Sequence, residues 1–174
     1  EINDLGGSAT LVPLNLKHGD KIDILGAEIA NRYGYLDILI ANAGILGRLS
    51  LVSHIPPKIW QEVFDINLHA NYRLIRSFDP LLRNAKDSRA IFVTSGAAQL
   101  NQPYWSAYAA SKAALEAMVQ TYKAEIAHSN LQVKLLDPGV VATKMREAAI
   151  PGEDQTTLTQ PDEITDKFID YVIN

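Results

Sequence analysis

Two short runs, "LDILIA" at residues 36–41 and "AIFVT" at 90–94, are almost continuously apolar. A strand with one wet face alternates apolar and polar residues, so runs like these belong in a parallel sheet covered on both faces. Parallel neighbours need crossovers, and the sequence supplies helices between the runs. "KIDILGAEIANRYG" reads as an amphipathic helix stopped by Gly34, and a long helical pattern runs from Pro57 past Trp60, Val63, Ile66 and Leu74 towards Leu82. Another helix spans about Tyr104 to His128, and a last one is opened by Pro161 and Asp162. "LQVKLLDPG" is a further strand, and "SATLVPLNL" at 8–16 reads as a short strand ahead of the first helix. Glu1 to Leu5 with Gly6 and Gly7 reads as the tail of a helix, so the domain is expected to begin upstream. The expectation is an α/β fold, a doubly wound parallel sheet in three αβα layers, with residues 1–174 in a single domain.

Nearly half of the 174 residues are hydrophobic (47%), enough for a real core without staples. A formal charge of -4 with no basic runs gives no footprint for nucleic acid or an anionic membrane. No apolar run approaches the roughly 20 residues of a membrane span, and the start lacks the pattern of a signal peptide. With no cysteine, disulfides, thiolate metal sites and a cysteine nucleophile are excluded, which suits a reducing, cytoplasmic location. His18, His54, His69 and His128 have no ligand spacing and read as solvated or structural, so no metal is expected.

In an open parallel sheet, ligands sit beyond the carboxyl ends of the strands. Three such ends carry small or hydroxylated residues with glycine: "NAG" at 42–44, "TSGAA" from Thr94, and "DPGVVAT" from Asp137. The segment "SAYAASK", 106–112, then places Tyr108 and Lys112 four residues apart, on one face of a helix. An isolated Y-x-x-x-K is usually a solvated pair. Here Ser95 can join it, and a hydroxyl, a phenol and an ammonium around one point suit proton transfer to or from an alcohol or carbonyl oxygen. A phenol of ordinary pKa near 10 is a poor base, and an adjacent ammonium is expected to bring that value down.

With "NAG", Asn67, Ser95, the Tyr108–Lys112 pair, and Pro138–Gly139 followed by Thr143 in this order, the chain resembles the short-chain dehydrogenase/reductase family, in general pattern its 3-oxoacyl-carrier-protein reductase branch. The resemblance implies a Rossmann-like fold and NADP or NAD as cofactor, NADP being slightly preferred. It implies Tyr108 as general acid/base and Lys112 lowering its pKa while bonding the nicotinamide ribose. Ser95 would orient the substrate oxygen, and Asn67 would hold a relay water through its backbone carbonyl in a kinked helix. Asn42, Ala43 and Gly44 would lie along the cofactor, Pro138 and Gly139 would border the nicotinamide, and Thr143 would bond its carboxamide or a phosphate. Thr143 reads equally as a helix cap. Asn15 stands where the family usually has an aspartate near the adenine. Homodimers or homotetramers are the implied assemblies.

The glycine-rich turn that cradles a pyrophosphate does not occur in this sequence, so the sheet is expected to be incomplete at the amino end, and at the carboxyl end as well. The stretch between Thr143 and Pro161 reads as a short polar lid. Leu46, Ala97, Gln99, Tyr104 and Val140 are expected to line a mildly apolar pocket without a charged anchor. The function expected is NAD(P)-dependent interconversion of a secondary alcohol and a ketone. A catalytically silent relative with a structural or regulatory role is the alternative. A serine hydrolase is set aside, since no G-x-S-x-G elbow is present.

Overall fold

The computed structural model describes residues 2–173. Strands β1 (Ile38–Ala41), β2 (Ser88–Val93) and β3 (Leu131–Leu136) pair in the order β1-β2-β3, both ladders parallel. Ile40, Ile91 and Lys134 stand in register across the sheet. Helix α1 (Gly19–Tyr33) precedes β1; α2 (Pro57–Phe64) and α3 (Ala70–Asn84) run between β1 and β2, and α4 (Ala97–Leu100) and α5 (Ser106–Glu125) between β2 and β3. Beyond β3 follow α6 (Lys144–Ala149) and α7 (Thr165–Ile173).

One face of the sheet is covered by α1, α3 and α5, and the core lies there. Ile22, Phe78, Leu82, Leu115 and Val119 from the helices meet Ala90, Phe92 and Val133 from the strands. Helices α1 and α3 cross so closely at Gly26 that a Cβ there would stand 2.9 Å from Cβ of Ser77. The crossing is fastened by Asp23, which accepts from Ser77 Oγ at 2.7 Å and from Arg73 Nη1 at 2.8 Å. Gly34 ends α1 at φ 76°, where its N–H reaches Ala30 O.

The other face is covered unevenly. Helix α7 lies over its β3 side, with Nζ of Lys134 4.7 Å from the ring centre of Tyr171. Ile38 and Ile40 of β1 remain 41% and 47% exposed, so cover on both faces holds for β2 and not for β1. The segment 8–16 also departs from its expected strand. No ladder forms there, and Leu11 is 93% exposed, while Leu14 and Leu16 pack against the core. A strand must share its backbone hydrogen bonds with a neighbour, and no described strand lies beside this one.

The long pattern from Pro57 is continuous as expected, with one wide π turn, Asp65–His69, between α2 and α3. Helix α5 starts later than expected because Tyr104 sits at φ 73°, outside any right-handed helix.

Candidate active site

The carboxyl ends of all three strands open into one cavity of about 620 Å³. After β1 it is lined by Asn42, Ala43, Gly44 and Leu46, after β2 by Ser95 and Ala97, and after β3 by Pro138, Gly139, Val140 and Thr143. Tyr108 and Lys112 close it from the first turns of α5. The strand ends converge because the sheet is parallel, and the helical repeat brings Tyr108 and Lys112 to the same wall.

Lys112 is the most buried cation of the site, 3% exposed. Its Nζ donates to the carbonyl of Val93 at 2.7 Å, and among the described residues no carboxylate pairs with it. Burial pushes its pKa down to about 8. The phenol of Tyr108 is held above its ordinary value, chiefly by its own burial and further by the charge of Asp137, while Ser95 beside it pulls the other way. Nζ of Lys112 lies 5.9 Å from the ring centre of Tyr108, and the net direction on the phenol is set by its own burial.

Asn67 sits in the π turn with no exposed surface and does not line the cavity. Its Oδ1 accepts from Ile45 N, and its Nδ2 donates to Ile45 O and, at 3.0 Å, to Ser111 Oγ. Ser111 in turn donates to the carbonyl of Tyr108 at 2.7 Å, so one chain of bonds ties the "NAG" turn to the helix turn that carries the phenol. The backbone carbonyl of Asn67 accepts from Asn71 Nδ2 at 2.9 Å. Gly44 lies against both Asn67 and Lys112: a Cβ there would come into ordinary contact with Asn67 Oδ1 at 3.4 Å and Lys112 Nζ at 3.5 Å.

Thr143 lines the cavity and caps α6, accepting from Arg146 N at 3.2 Å. Asn15 is not brought to the cavity. It is exposed, and its Oδ1 accepts from Lys17 N in a local turn. Gln99 and Tyr104 also lie off the cavity wall. Gln99 points to Glu116, whose other oxygen accepts from Thr94 Oγ1 at 2.7 Å.

Sequence reasoning missed Trp105, Arg146, Phe168 and the charge of Asp137 as cavity residues. Asp137 was signalled by its place at the end of β3, whereas Arg146 and Phe168 arrive through an irregular segment that periodicity does not describe. Arg146 is held by two bonds to Glu153, Nε at 2.5 Å and Nη2 at 2.6 Å, which brace the expected lid. Across the described residues, no helix is long and apolar enough to cross a membrane.

These residues fit the nicotinamide end of a dinucleotide. Gly44 and Gly139, the latter at φ 80°, leave backbone bare along the wall, and a single acceptor, Val93 O, takes one of the three donors of Lys112. A glycine-rich cradle for the pyrophosphate is not part of this sequence.

The family model described as short chain dehydrogenase matches residues 1–154. The uncharacterized oxidoreductase YciK of Escherichia coli K12 is 34% identical over 145 residues, covering 83% of this chain and 57% of that protein. A 3-oxoacyl-[acyl-carrier-protein] reductase of Synechocystis is 31% identical over 147 residues, covering 84% of this chain and 59% of the reductase. This chain thus spans less than two thirds of those curated relatives. A short chain dehydrogenase from Shigella flexneri 2a, solved in complex with NADP, superposes with a TM-score of 0.92 at 31% identity, over 98% of this chain and 72% of that one. A match whose range takes in the strand-end turns, Ser95 and the Tyr108–Lys112 pair makes this chain a member of the short chain dehydrogenase family.

Proposed function

We propose that the protein is an NAD(P)-dependent oxidoreductase that interconverts a secondary alcohol and a ketone, with Tyr108 as general acid/base. The observation that carries this reading is the convergence of Ser95, Tyr108 and Lys112 on one strand-end cavity. A carbonyl oxygen placed there accepts from the Ser95 hydroxyl and the Tyr108 phenol. The turns of Gly44 and Gly139 would hold a reduced nicotinamide, which would supply the hydride for the carbonyl carbon. Tyr108 gives its proton to the oxygen as charge develops on it. A phenol held above its ordinary pKa is protonated at neutral pH, so the resting site is set for reduction of the carbonyl. Lys112 stands behind the phenol as a cation in a dry wall and stabilises the negative charge left on it.

NADP is the preferred cofactor of this reading, supported by the NADP held by the Shigella relative. Residues 1–174 form one domain, with a small alcohol or ketone as substrate, a homodimer or homotetramer as the assembly, and the cytoplasm as its place. The silent-relative reading is the alternative that the nucleotide titration decides.

Fluorescence titration with NADPH and with NADH tests the cofactor site, and turnover of Tyr108→Phe tests the chemistry. Micromolar binding with turnover lost in Tyr108→Phe is the expected result. Full turnover in that variant would falsify the assigned role of the phenol, and no binding of either nucleotide favours the silent relative.

A further inference from the structure

Among the described residues lining the cavity, three carry formal charge: Lys112, Arg146 and Asp137. Lys112 lies at the back, bonded to Val93 O, and Arg146 is neutralised by its paired bonds to Glu153. Asp137 has no such partner among the ion pairs of the described residues. Lys167 comes near, yet its Nζ donates to Pro138 O at 3.2 Å.

The carboxylate of Asp137 is held in place. Its Oδ1 accepts from Gly139 N at 2.9 Å, which fixes the side chain over the turn after β3. Its Oδ2 lies 3.3 Å from the point where a Cβ on Gly96 would stand, between the turn of Ser95 and the turn of Pro138. The fold needs one neutral acceptor at this position, which asparagine or serine would also provide. The charge and the second oxygen are therefore surplus to the turn, and both belong to the cavity wall beside Tyr108 and Ser95.

Resting on the reductase reading above, we infer that Asp137 is a specificity-determining residue, selecting substrates with a hydrogen-bond donor, an ammonium above a hydroxyl, on the carbon next to the reacting one. A fixed carboxylate accepts a charge-assisted hydrogen bond from such a group and repels a carboxylate placed there. The pocket expected from the sequence to have no charged anchor thus has an acidic one.

The test uses three probes of one shape, 2-amino-1-phenylpropan-1-ol, 1-phenylpropan-1-ol and mandelate. Their binding to wild type, Asp137→Asn and Asp137→Ser is read from the fluorescence of Trp105 on the cavity wall, with Trp105→Phe as the control for the source of the signal. The amino alcohol is expected to bind wild type at least tenfold more tightly than the plain alcohol, and mandelate most weakly. In both variants the three affinities converge to within about threefold, while the thermal midpoint of Asp137→Asn stays near that of wild type. No preference in wild type, an unchanged preference in the variants, or no binding of any probe overturns the inference. Because binding is read without turnover, failure of the oxidoreductase reading would show separately, as a lack of nicotinamide-dependent turnover with all three probes.

Discussion

Asn67 holds both backbone polar groups of Ile45, accepting from its N–H at 2.8 Å and donating to its carbonyl at 2.9 Å. An amide is the one neutral side chain that offers acceptor and donor side by side, so the turn after β1 is shaped by this residue. Asn67→Asp removes both donations and leaves a charge without water. A loss of about 3 kcal/mol in urea denaturation is expected. A loss below about 1 kcal/mol would mean that the turn is held by other contacts.

Lys112 gives stability a pH dependence of known sign. Its folded pKa of about 8 lies below the ordinary 10.5, so between these values the unfolded chain binds the extra proton and stability rises with pH. The cost of burying the cation is full below pH 8 and is relieved towards pH 10.5. Lys112→Met should exceed wild type in stability most at pH 7, with a gap that narrows by up to about 3 kcal/mol as the pH is raised. A gap constant from pH 7 to 10 would show that Lys112 titrates normally.

Reduction and oxidation should respond oppositely to pH. With the Tyr108 phenol held protonated, carbonyl reduction stays level through neutral pH and falls only in the alkaline range, while alcohol oxidation climbs with pH. Tyr108→Phe lowers both by roughly 100- to 10,000-fold. Steady-state profiles in each direction check this, and parallel profiles would count against the phenol as the titrating group.

Helices α3 and α5 are pinned by Tyr122, whose hydroxyl donates to Asp79 Oδ1 at 2.6 Å, where Arg83 Nε also donates at 2.8 Å. Tyr122→Phe should cost about 1 kcal/mol, since Asp79 keeps its arginine. Asp79→Ala, which strips the buried hydroxyl of its acceptor, should cost more. Equal losses in thermal unfolding would argue against the clamp.

Gly47 and Gly34 share a left-handed backbone, at φ 71° and 76°, and differ in their surroundings. A Cβ on Gly47 would stand 2.4 Å from Cγ2 of Val63, whereas nothing lies within 4 Å at Gly34. Gly34→Ala carries the backbone strain alone, about 1 kcal/mol, and Gly47→Ala adds overpacking of about 1–3 kcal/mol. Chemical denaturation of the pair separates the two effects.

The apolar runs and strand-end turns made the sheet and its site legible, because burial and parallel pairing are written into local composition. The Tyr108–Lys112 wall was legible from helical spacing. The strand expected at 8–16 was not secure in the same way, since a ladder depends on a neighbour that local sequence does not describe. Asn15, expected near the adenine, lies on that same segment and outside the strand-end cavity. The electrostatics were least legible. Spacing put an ammonium near a phenol, but the sign of the shift on Tyr108 depends on how much water burial removes, which is a property of the packed wall. Ser111 was hidden by its ordinariness, a small residue in "SAYAASK" whose hydroxyl joins Asn67 to the carbonyl of Tyr108.

The π turn at Asp65–His69 has a consequence for how the rod made by α2 and α3 can vary. One surplus residue is absorbed there, which sets everything after it back by about 100° around the axis relative to an unbroken α-helix. The rod therefore carries two reading frames, one that aims Asn67 at the turn beside the cavity and one that aims Phe78, Leu81 and Leu82 at the sheet. Deleting a residue here would close the wide turn into ordinary α-helix and leave Phe78, Leu81 and Leu82 facing the sheet, while removing the widened turn that carries Asn67.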